Sequence, residues 1–274
     1  MSLPSSLWLV GCGNMGGAML RGWIDAGLSP QAVTVIDPGR PTVPEGVTVL
    51  EASPSGTAPQ VIVLAVKPQL LDAVAPSIAT VRPALLLSIL AGVQEATLAA
   101  KIQADAIVRA MPNLPVAIGR GVTALHSVTA DAAVRDTAHA LVAPLGKVEW
   151  IADEASFDAV TALSGCGPGF VFRFIDALAK AGAALGLPED QAARLALATV
   201  EGSAAMAAQA SEAPAVLADR VASPGGSTRE GLNVLDRDEA LNKLLAATLR
   251  ASCDRNAELA AAARAERRRC YLYR

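Results

Sequence analysis

The chain has 274 residues, enough for one large domain or two ordinary domains with a sizeable core. Hydrophobic residues make up 52% of it but aromatic residues only 3%, a mixture that favours closely packed, alanine-rich helices over a β-sandwich. A net charge of −3 is too small to attract nucleic acid or an anionic membrane surface broadly, so we expect neither partner.

The apolar runs and the cysteines both argue against a membrane or secreted protein. The runs at 61–66 and 84–91 are far shorter than the roughly 18 residues that a spanning helix needs. The first residues carry no secretory signal pattern. Four cysteines and two histidines are scattered without ligand spacing, so we expect reduced thiols and no metal site. A cytoplasmic protein is the expectation, with the arginine run at 267–269 as a solvated tail.

Taken in chain order, the first half alternates short apolar runs with amphipathic or alanine-rich stretches. Strands are predicted at 7–11, 33–36, 47–50, 61–66, 84–89 and 106–110, and helices at 15–26, 69–78 and 94–101. Two further strands, at 122–125 and 147–151, flank a helix near 130–142. This alternation indicates βαβ units and a parallel sheet covered on both faces, so residues 1–152 are predicted to form an α/β domain.

Beyond residue 152 no convincing strand occurs, and alanine-rich helices dominate. Helices are predicted at 169–185, 189–210, 213–221 and 239–264. In the first of these, apolar residues recur at helical spacing and form one stripe: Phe170, Phe174, Leu178, Ala181 and Leu185. We predict an all-helical domain over 153–274, whose thin hydrophobic faces need a second subunit to cover them.

A G-x-G-x-x-G motif joins the first predicted strand to the first predicted helix. Its residues are Gly11, Cys12, Gly13, Asn14, Met15 and Gly16. The three glycines permit a tight turn, the close approach of a pyrophosphate and helix–strand packing, and the helix N-terminus offers free N–H groups. The motif therefore predicts a Rossmann-type dinucleotide site, the alternative being a glycine turn without a ligand.

The choice between NAD and NADP is expected at the end of the second strand. Asp37 could accept a hydrogen bond from a ribose 2′-hydroxyl, whereas Arg40 could attract a 2′-phosphate. Asp-Pro-Gly is also a common turn, so the sequence leaves this choice open. Contacts with the cofactor are also predicted where the fourth strand ends, from Ala65, Val66, Lys67 and Pro68. Taken alone, Lys67 is as well explained as a solvated surface lysine.

Two segments in the middle of the chain have the composition of binding loops. Asn113 lies between two prolines that fix a loop, where it could hydrogen-bond a cofactor carboxamide or a substrate, or simply form a turn. Gly165, Cys166 and Gly167 precede a long helix, and their small size leaves room for a planar ring. No histidine lies nearby in sequence to activate Cys166, so we do not expect thiol catalysis.

The segment at 223–228 combines glycines with hydroxyl residues just before a helix. Ser227 and Glu230 match a capping box, in which Ser227 caps the helix and Glu230 reaches back. A helix N-terminus preceded by glycines is a natural cradle for a small carboxylate. Substrate contacts are therefore predicted from Ser223, Gly225, Gly226, Ser227 and Thr228. The alternative is an ordinary capped turn.

Together these segments resemble the pyrroline-5-carboxylate reductase family over nearly the whole chain. The matching segments, in order, are GCGNMG at 11–16, AVKPQ at 65–69, SILAG at 88–92, RAMPNLP at 109–115, SGCGPGFVF at 164–172 and SPGGSTREGL at 223–232. Six ordered motifs across two domains are far more specific than a glycine loop alone.

The resemblance implies an α/β chain with an N-terminal Rossmann-type parallel-sheet domain and an all-α dimerisation domain, with the active site between them. It implies an oxidoreductase that transfers hydride from NADPH, or from NADH, to the C=N bond of 1-pyrroline-5-carboxylate. The product is L-proline, in the last step of proline biosynthesis. Thr228 would place its hydroxyl near the imine nitrogen as the catalytic residue, in a homodimer or a higher oligomer of dimers.

The sequence departs from the family pattern at several positions. Cys166 stands where serine is usual, and Gly169-Phe170 replaces an alanine–tyrosine pair. Ser227 often corresponds to threonine, and Arg120 to glutamate. These departures affect substrate preference and pH behaviour more than the reaction, because the substrate loop works largely through backbone N–H groups.

Two other functions stay open from the residues. One is a related two-domain NAD(P)-dependent imine or hydroxy-acid reductase. A hydroxy-acid enzyme would need a positioned lysine or histidine, and the helical half offers only Lys180 and Lys243, both outside the glycine-rich loops. The other is a non-catalytic dinucleotide-binding regulator, which has no need of an intact 223–228 loop.

Overall fold

The computed structural model describes residues 3–54, 56 and 58–272, and the side chains of these up to residue 258. Its strands are β1 (Leu7–Val10), β2 (Val33–Ile36), β3 (Thr48–Leu50), β4 (Val61–Leu64), β5 (Leu85–Ser88), β6 (Ala106–Pro112), β7 (Gly121–His126) and β8 (Gly146–Trp150). Its α-helices are α1 (Asn14–Asp25), α2 (Leu71–Ile78), α3 (Glu95–Ala99), α4 (Ala132–Val142), α5 (Phe157–Val160), α6 (Gly167–Ala184), α7 (Glu189–Gln209), α8 (Pro214–Arg220), α9 (Ser227–Asp236) and α10 (Ala240–Leu272).

All eight strands of the described chain lie in one sheet, in the order β3-β2-β1-β4-β5-β6-β7-β8. Neighbouring strands are parallel except at β6–β7, where the pairing is antiparallel. The connection from Pro112 to Gly121 is too short for the crossover that a parallel pair would need. The strand order reverses between β1 and β4, which is where a doubly wound sheet opens its ligand crevice.

The sheet is buried on both faces, as the continuous apolar strands predict. Leu7, Leu9, Val61 and Val63 pack in one core cluster with residues of α1 and α4. The alternate residues of the same strands pack in a second cluster with residues of α2 and α3: Trp8, Val10, Ile62 and Leu64. This two-layer core holds the carboxyl ends of β1, β2 and β4 at one edge.

The chain divides into two compact units. The first runs to Cys166 and takes in the end of α10 from Ser252, and the second is Gly167–Ala251. The second unit consists of helices, so the predicted fold class, a Rossmann-type sheet domain followed by an all-helical part, is confirmed. The predicted domain division at 152/153 follows a change in sequence character and stays a prediction.

Small residues bring the helices of the second unit together. A Cβ built at Gly182 of α6 would lie 3.5 Å from that of Ala192 on α7. Among the described residues of this unit, the buried hydrophobic ones are alanines: Ala192, Ala196 and Ala222. Many large apolar side chains stay exposed on α6 and α7, including Phe172, Phe174, Leu178, Leu195, Leu197 and Met206.

The last helix is longer than the sequence predicts. The sequence pattern gives 239–264, whereas α10 runs to Leu272 because the alanine, glutamate and arginine residues near its end are all strong helix formers. The side chains of the arginine run at 267–269 lie outside the described part of the chain. None of the described helices combines the length and apolarity that a membrane crossing requires.

Candidate active site

The turn from β1 into the first residues of α1 depends on two glycines that the fold itself requires. Gly11 has a left-handed backbone, with φ of +89°, and a Cβ there would lie 2.8 Å from the Val66 side chain. A Cβ at Gly16 would lie 2.5 Å from the carbonyl oxygen of Gly11. Neither position therefore accepts a larger residue unless the chain moves.

Gly13 differs from Gly11 and Gly16, because a side chain there would point into open space at the protein surface. It is exposed, and a Cβ there would meet no heavy atom within 4 Å. Gly13 is also the N-cap of α1, which has no side-chain cap and no acidic residue in its first turn. The first N–H groups of α1 thus face an open cradle at the positive end of the helix dipole, which fits a pyrophosphate.

Asp37 ties the end of β2 to the glycine loop. One carboxylate oxygen accepts the N–H of Cys12 and the other accepts the N–H of Gly39, both at 2.8 Å. Asp37 is therefore a turn residue, and each oxygen keeps a second lone pair that a ribose hydroxyl could use. In the same turn Arg40 is exposed and pairs through Nε with Glu51 at 2.9 Å. Side chains of both charges thus stand at the end of β2, and their part in the choice between NAD and NADP stays a prediction.

The Cys12 thiol in this loop is a neutral group. Burial raises its pKa above the ordinary value of 9.0, the charge of Asp37 raises it further, and Arg21 acts in the opposite direction. Cys12 is therefore a packing residue at neutral pH, because the thiolate is the reactive form. Among the described residues, no cluster of three or more His, Cys, Asp or Glu side chains is arranged to hold a metal.

The end of β4 lies directly against the glycine loop. Ala65 donates its N–H to the carbonyl of Val10 at 2.8 Å, and the side chains of Ala65 and Val66 are half-buried. Lys67 is exposed and precedes a short 3-10 turn that begins at Pro68. The structure therefore brings these residues to the edge of the crevice, and their contact with a cofactor stays a prediction.

Asn113 is buried, and both ends of its amide bind the chain. Its Nδ2 donates to the carbonyl of Ser164 at 3.0 Å, and its Oδ1 accepts the N–H of Val122 at 2.8 Å. Sequence reasoning missed these partners, because the pattern around Asn113 carries no trace of a residue 51 positions away. A contact between Asn113 and the cofactor stays a prediction.

Sequence reasoning also missed an ion pair between buried Arg109 on β6 and partly exposed Glu154. The Arg109 side chain is 6% exposed, and its Nη1 pairs with Oε1 of Glu154 at 2.7 Å. The guanidinium lies 4.4 Å from the centre of the Phe157 ring, in cation–π geometry. Glu154 also accepts the N–H of Glu95 at 2.8 Å. One signal for this pair is present in the sequence, because Arg109 stands inside an apolar strand. An arginine buried there is rarely without a charged partner.

A π-helical turn, Thr161–Gly165, leads from α5 towards α6 and contains Ser164 and Gly165. Cys166 closes this turn by donating its N–H to the carbonyl of Thr161 at 2.8 Å. A Cβ built at Gly167 would meet nothing within 4 Å. Single π-turns are rare and frequently occur at functional sites, so this geometry suits the predicted binding role of Gly165, Cys166 and Gly167, which stays a prediction.

In the second unit a glycine turn precedes α9. Gly226 donates its N–H to the carbonyl of Ser223 at 2.9 Å, and Gly225 has a left-handed φ of +67°. A Cβ at Gly226 would lie 2.5 Å from Oγ of Ser223, so a larger residue there would have to displace that hydroxyl. Ser223, Ser227 and Thr228 are exposed around this turn.

The capping box predicted for Ser227 and Glu230 is wrong. Gly226 is the N-cap of α9, Ser227 is already its first helical residue, and no side chain caps the helix. A serine that has entered the helix cannot fold its hydroxyl back onto the N–H groups of the first turn. Those N–H groups therefore have no side-chain cap and are available to a carboxylate.

Comparison with known proteins shows which family the chain belongs to. A family model described as pyrroline-5-carboxylate reductase dimerisation matches residues 154–259, and one described as NADP oxidoreductase, coenzyme F420-dependent, matches residues 6–92. The pyrroline-5-carboxylate reductase of Pseudomonas aeruginosa is 35% identical over 270 residues, which cover 95% of this chain and 98% of that protein. The chain belongs to the pyrroline-5-carboxylate reductase family.

Other members of the pyrroline-5-carboxylate reductase family agree in sequence and in structure. The Synechocystis protein of that name is 41% identical over 205 residues, which cover 73% of this chain and 75% of its own length. A solved pyrroline-5-carboxylate reductase from Coxiella burnetii is 30% identical with a TM-score of 0.85, over 93% of this chain and 98% of that one. A Plasmodium falciparum pyrroline carboxylate reductase, solved with NADP bound, is 25% identical with a TM-score of 0.77, and the same shares of the two chains are covered.

Both glycine turns fall inside the matched parts of this pyrroline-5-carboxylate reductase family member. The turn at 11–16 lies within the oxidoreductase match, and the turn at 223–228 lies within the dimerisation match. The family that the sequence motifs suggest is therefore confirmed, together with the fold class.

Proposed function

We propose that this protein reduces 1-pyrroline-5-carboxylate to L-proline with hydride from NADPH or NADH, the last step of proline biosynthesis. The observation that carries the proposal is a pair of uncapped helix N-termini, α1 and α9, each preceded by a glycine turn. One suits a pyrophosphate and the other a small carboxylate. Family membership supports the same reaction, because relatives of that name match most of this chain.

The proposed cofactor is NADP, with NAD also accepted. The matched oxidoreductase model and the NADP-bound Plasmodium relative support this choice. The residues that would hold the cofactor are Gly11, Cys12, Gly13, Asn14, Met15 and Gly16 at the pyrophosphate, Asp37 and Arg40 at the ribose, and Ala65, Val66, Lys67 and Pro68 along the crevice. When bound, the reduced nicotinamide supplies the hydride.

The proposed substrate site is the turn before α9. The N–H groups of the first helical turn hold the carboxylate, and Gly225 and Gly226 let it approach the backbone. Thr228, exposed in that turn, hydrogen-bonds the imine nitrogen and is the proposed catalytic residue. The remaining substrate contacts are assigned to the hydroxyls of Ser223 and Ser227 and to the small residues Gly165, Cys166 and Gly167.

Little acid–base chemistry is required of the protein. A protonated imine is already electrophilic, so Thr228 needs only to orient the nitrogen and keep its proton in place. Well-oriented reactants gain on the order of 7–11 kcal/mol from positioning alone. A hydroxy-acid dehydrogenase needs a stronger base, and Lys180 is a poor candidate because it pairs with Asp176 at 2.9 Å on an exposed face of α6.

A homodimer, or a higher oligomer of dimers, is part of the proposal. The second unit exposes large apolar side chains on α6 and α7 while it buries alanines, and a dimerisation model matches this region. Covering such a face with a second copy removes apolar surface from water. A cytoplasmic location is proposed from the scattered, unpaired pattern of the cysteines in the sequence.

The reaction can be tested with one substrate panel on the purified protein. Oxidation of NADPH and of NADH is followed with 1-pyrroline-5-carboxylate, with a cyclic imine that lacks the carboxylate and with 2-keto acids. The proposal expects turnover of the imino acid, and a kcat/KM at least about 100-fold lower for the imine without the carboxylate. Faster turnover of a keto acid would favour a hydroxy-acid reductase, and cofactor binding without any turnover would favour a regulator.

A further inference from the structure

Residues 109–113 belong to the family motif RAMPNLP, and the proposed reduction of the imine assigns no chemical step to them. Val108 and Ala110 of β6 belong to the core cluster beneath α1 and α4. Arg109 and Met111 alternate with them and therefore lie on the opposite face of the strand. Asn113 follows the end of β6 in the same alternation. One face of this segment thus carries an arginine, a methionine and an asparagine in succession.

These three side chains contact successive residues of one segment, 154–164. Arg109 forms the ion pair with Glu154. Met111 packs in a small core cluster with Phe157, which also lies under the Arg109 guanidinium. Asn113 holds the carbonyl of Ser164. The chain is therefore attached to β6 at three points along its path to the π-turn.

The geometry points to a mounting role: Arg109, Met111 and Asn113 fix the backbone of the π-turn and so the position of Gly165, Cys166 and Gly167. We name Asn113 the positioning residue, because it binds the π-turn itself. This inference rests on the proposed function only in that residues 165–167 are taken to border the substrate ring. The mounting contacts lie wholly within the first unit.

The carbonyl of Ser164 lacks the partner that an α-helix would give it. The residue four positions later is Pro168, which has no N–H, and Asn113 Nδ2 donates to Ser164 O instead. The same amide binds Val122 at the start of β7, which fixes its orientation from the other side. Because the Asn113 amide already has two partners inside the chain, its side chain is fixed before any cofactor binds. It does not depend on a cofactor carboxamide for its orientation.

Two variants separate the mounting role from a cofactor contact. Asn113→Ala removes both hydrogen bonds, whereas Asn113→Asp keeps the acceptor for Val122 and loses the donor to Ser164. Val148→Ala, in a partly buried position of β8 in the other core cluster, is the control for a general loss of stability. Backbone hydrogen exchange of residues 161–167, and the Kd values of NADPH and of 2′-phospho-ADP-ribose, are measured on all three and on the wild type.

Both Asn113 variants should accelerate exchange at 161–167, on the order of 10-fold, while the control leaves these amides unchanged. The Kd ratio of NADPH to 2′-phospho-ADP-ribose should stay within about two-fold of the wild type, since the probe lacks only the nicotinamide ring. With 1-pyrroline-5-carboxylate, kcat/KM should fall about 10- to 100-fold, because a misplaced ring contact is costly.

Unchanged exchange at 161–167 in both variants would overturn the inference. So would a selective loss of NADPH affinity relative to the probe, which would make Asn113 a nicotinamide contact. Should Asn113→Ala fail to fold, Asn113→Asp decides by the same measurements. The exchange experiment uses no substrate, so it tests the mounting role even if the protein proves not to catalyse the proposed reaction.

Discussion

Gly13 and Gly16 belong to the same glycine motif, yet a side chain would meet different surroundings at each. A Cβ at Gly16 collides with backbone, whereas a Cβ at Gly13 points into open space. Gly16→Ala should therefore lower the free energy of unfolding by about 1–3 kcal/mol. Gly13→Ala should change it by less than about 0.5 kcal/mol but weaken NADPH binding on the order of 10-fold, because the methyl group occupies the pyrophosphate cradle.

Urea unfolding without cofactor measures the free energy of unfolding of the two variants, and NADPH titration measures their cofactor affinity. Each variant serves as the control for the other, since the same change is made in the same glycine motif. Equal losses of stability in the two would contradict the distinction between a glycine needed by the fold and one needed by the ligand.

Cys12 gives a pH dependence with a defined sign. Its pKa in the folded protein is raised above 9.0 by burial first and by the charge of Asp37 second, whereas the unfolded thiol titrates at its ordinary value. The free energy of unfolding is thus unaffected by this group below about pH 9 and falls as the pH rises towards the folded pKa. Cys12→Ala should lose less stability than the wild type between pH 8 and about 10. Urea unfolding at the two pH values checks this, and equal losses would contradict it.

Among the elements, α9 is the one at whose N-terminus we propose that the substrate binds. Thr228→Ala removes one hydroxyl from this exposed turn and leaves the backbone N–H groups in place. We expect kcat for the imino acid to fall about 10- to 100-fold, with the Kd of NADPH within about two-fold of the wild type. Thr228→Ser, which keeps a hydroxyl, is the matched control and should retain most of the activity. Parallel losses in turnover and cofactor affinity would argue that Thr228 acts on the fold.

The elements differ in how well the sequence predicts them, for physical reasons. Strands such as β1 and β4 are predictable because burial on both faces demands an unbroken apolar run. The direction of β7 was not predicted, since it depends on the length of one connection. The capping box failed because capping depends on the backbone of a single residue: Gly226, not Ser227, is the last residue before the helix. The partners of Asn113 and Arg109 could not be predicted, because they come from distant parts of the chain.

The turn at Asp37 shows an intermediate case. The Asp-Pro-Gly pattern predicts a turn, and the oxygen that accepts the N–H of Gly39 belongs to that turn. The second oxygen reaches Cys12, 25 residues earlier, and no local pattern shows this link. Local turn chemistry was therefore readable from the sequence, while the bond that joins two strand ends was not.

For the molecule as a whole, the exposed apolar side chains of the second unit form the surface that the proposed dimer would cover. Phe174 is 53% exposed on α6, in a unit whose buried hydrophobic residues, among those described, are alanines. Phe174→Glu should shift the protein towards monomers, raising the dimer Kd at least about 100-fold, because a buried carboxylate is costly. Ile118→Glu, at an exposed apolar residue of the first unit, is the control and should leave the mass unchanged. Light scattering over a concentration series measures both, and an unaltered mass for Phe174→Glu would contradict the assignment.

We propose that the N-terminus of α9 binds the carboxylate of a cyclic imino acid while the N-terminus of α1 binds the cofactor. The most direct test is a crystal structure of the protein with NADPH and a saturated five-membered ring carboxylate. We expect carboxylate oxygens about 3 Å from the backbone N–H groups of residues 227 and 228, and the pyrophosphate at Gly13. A carboxylate bound elsewhere, with the turn before α9 empty, would contradict it.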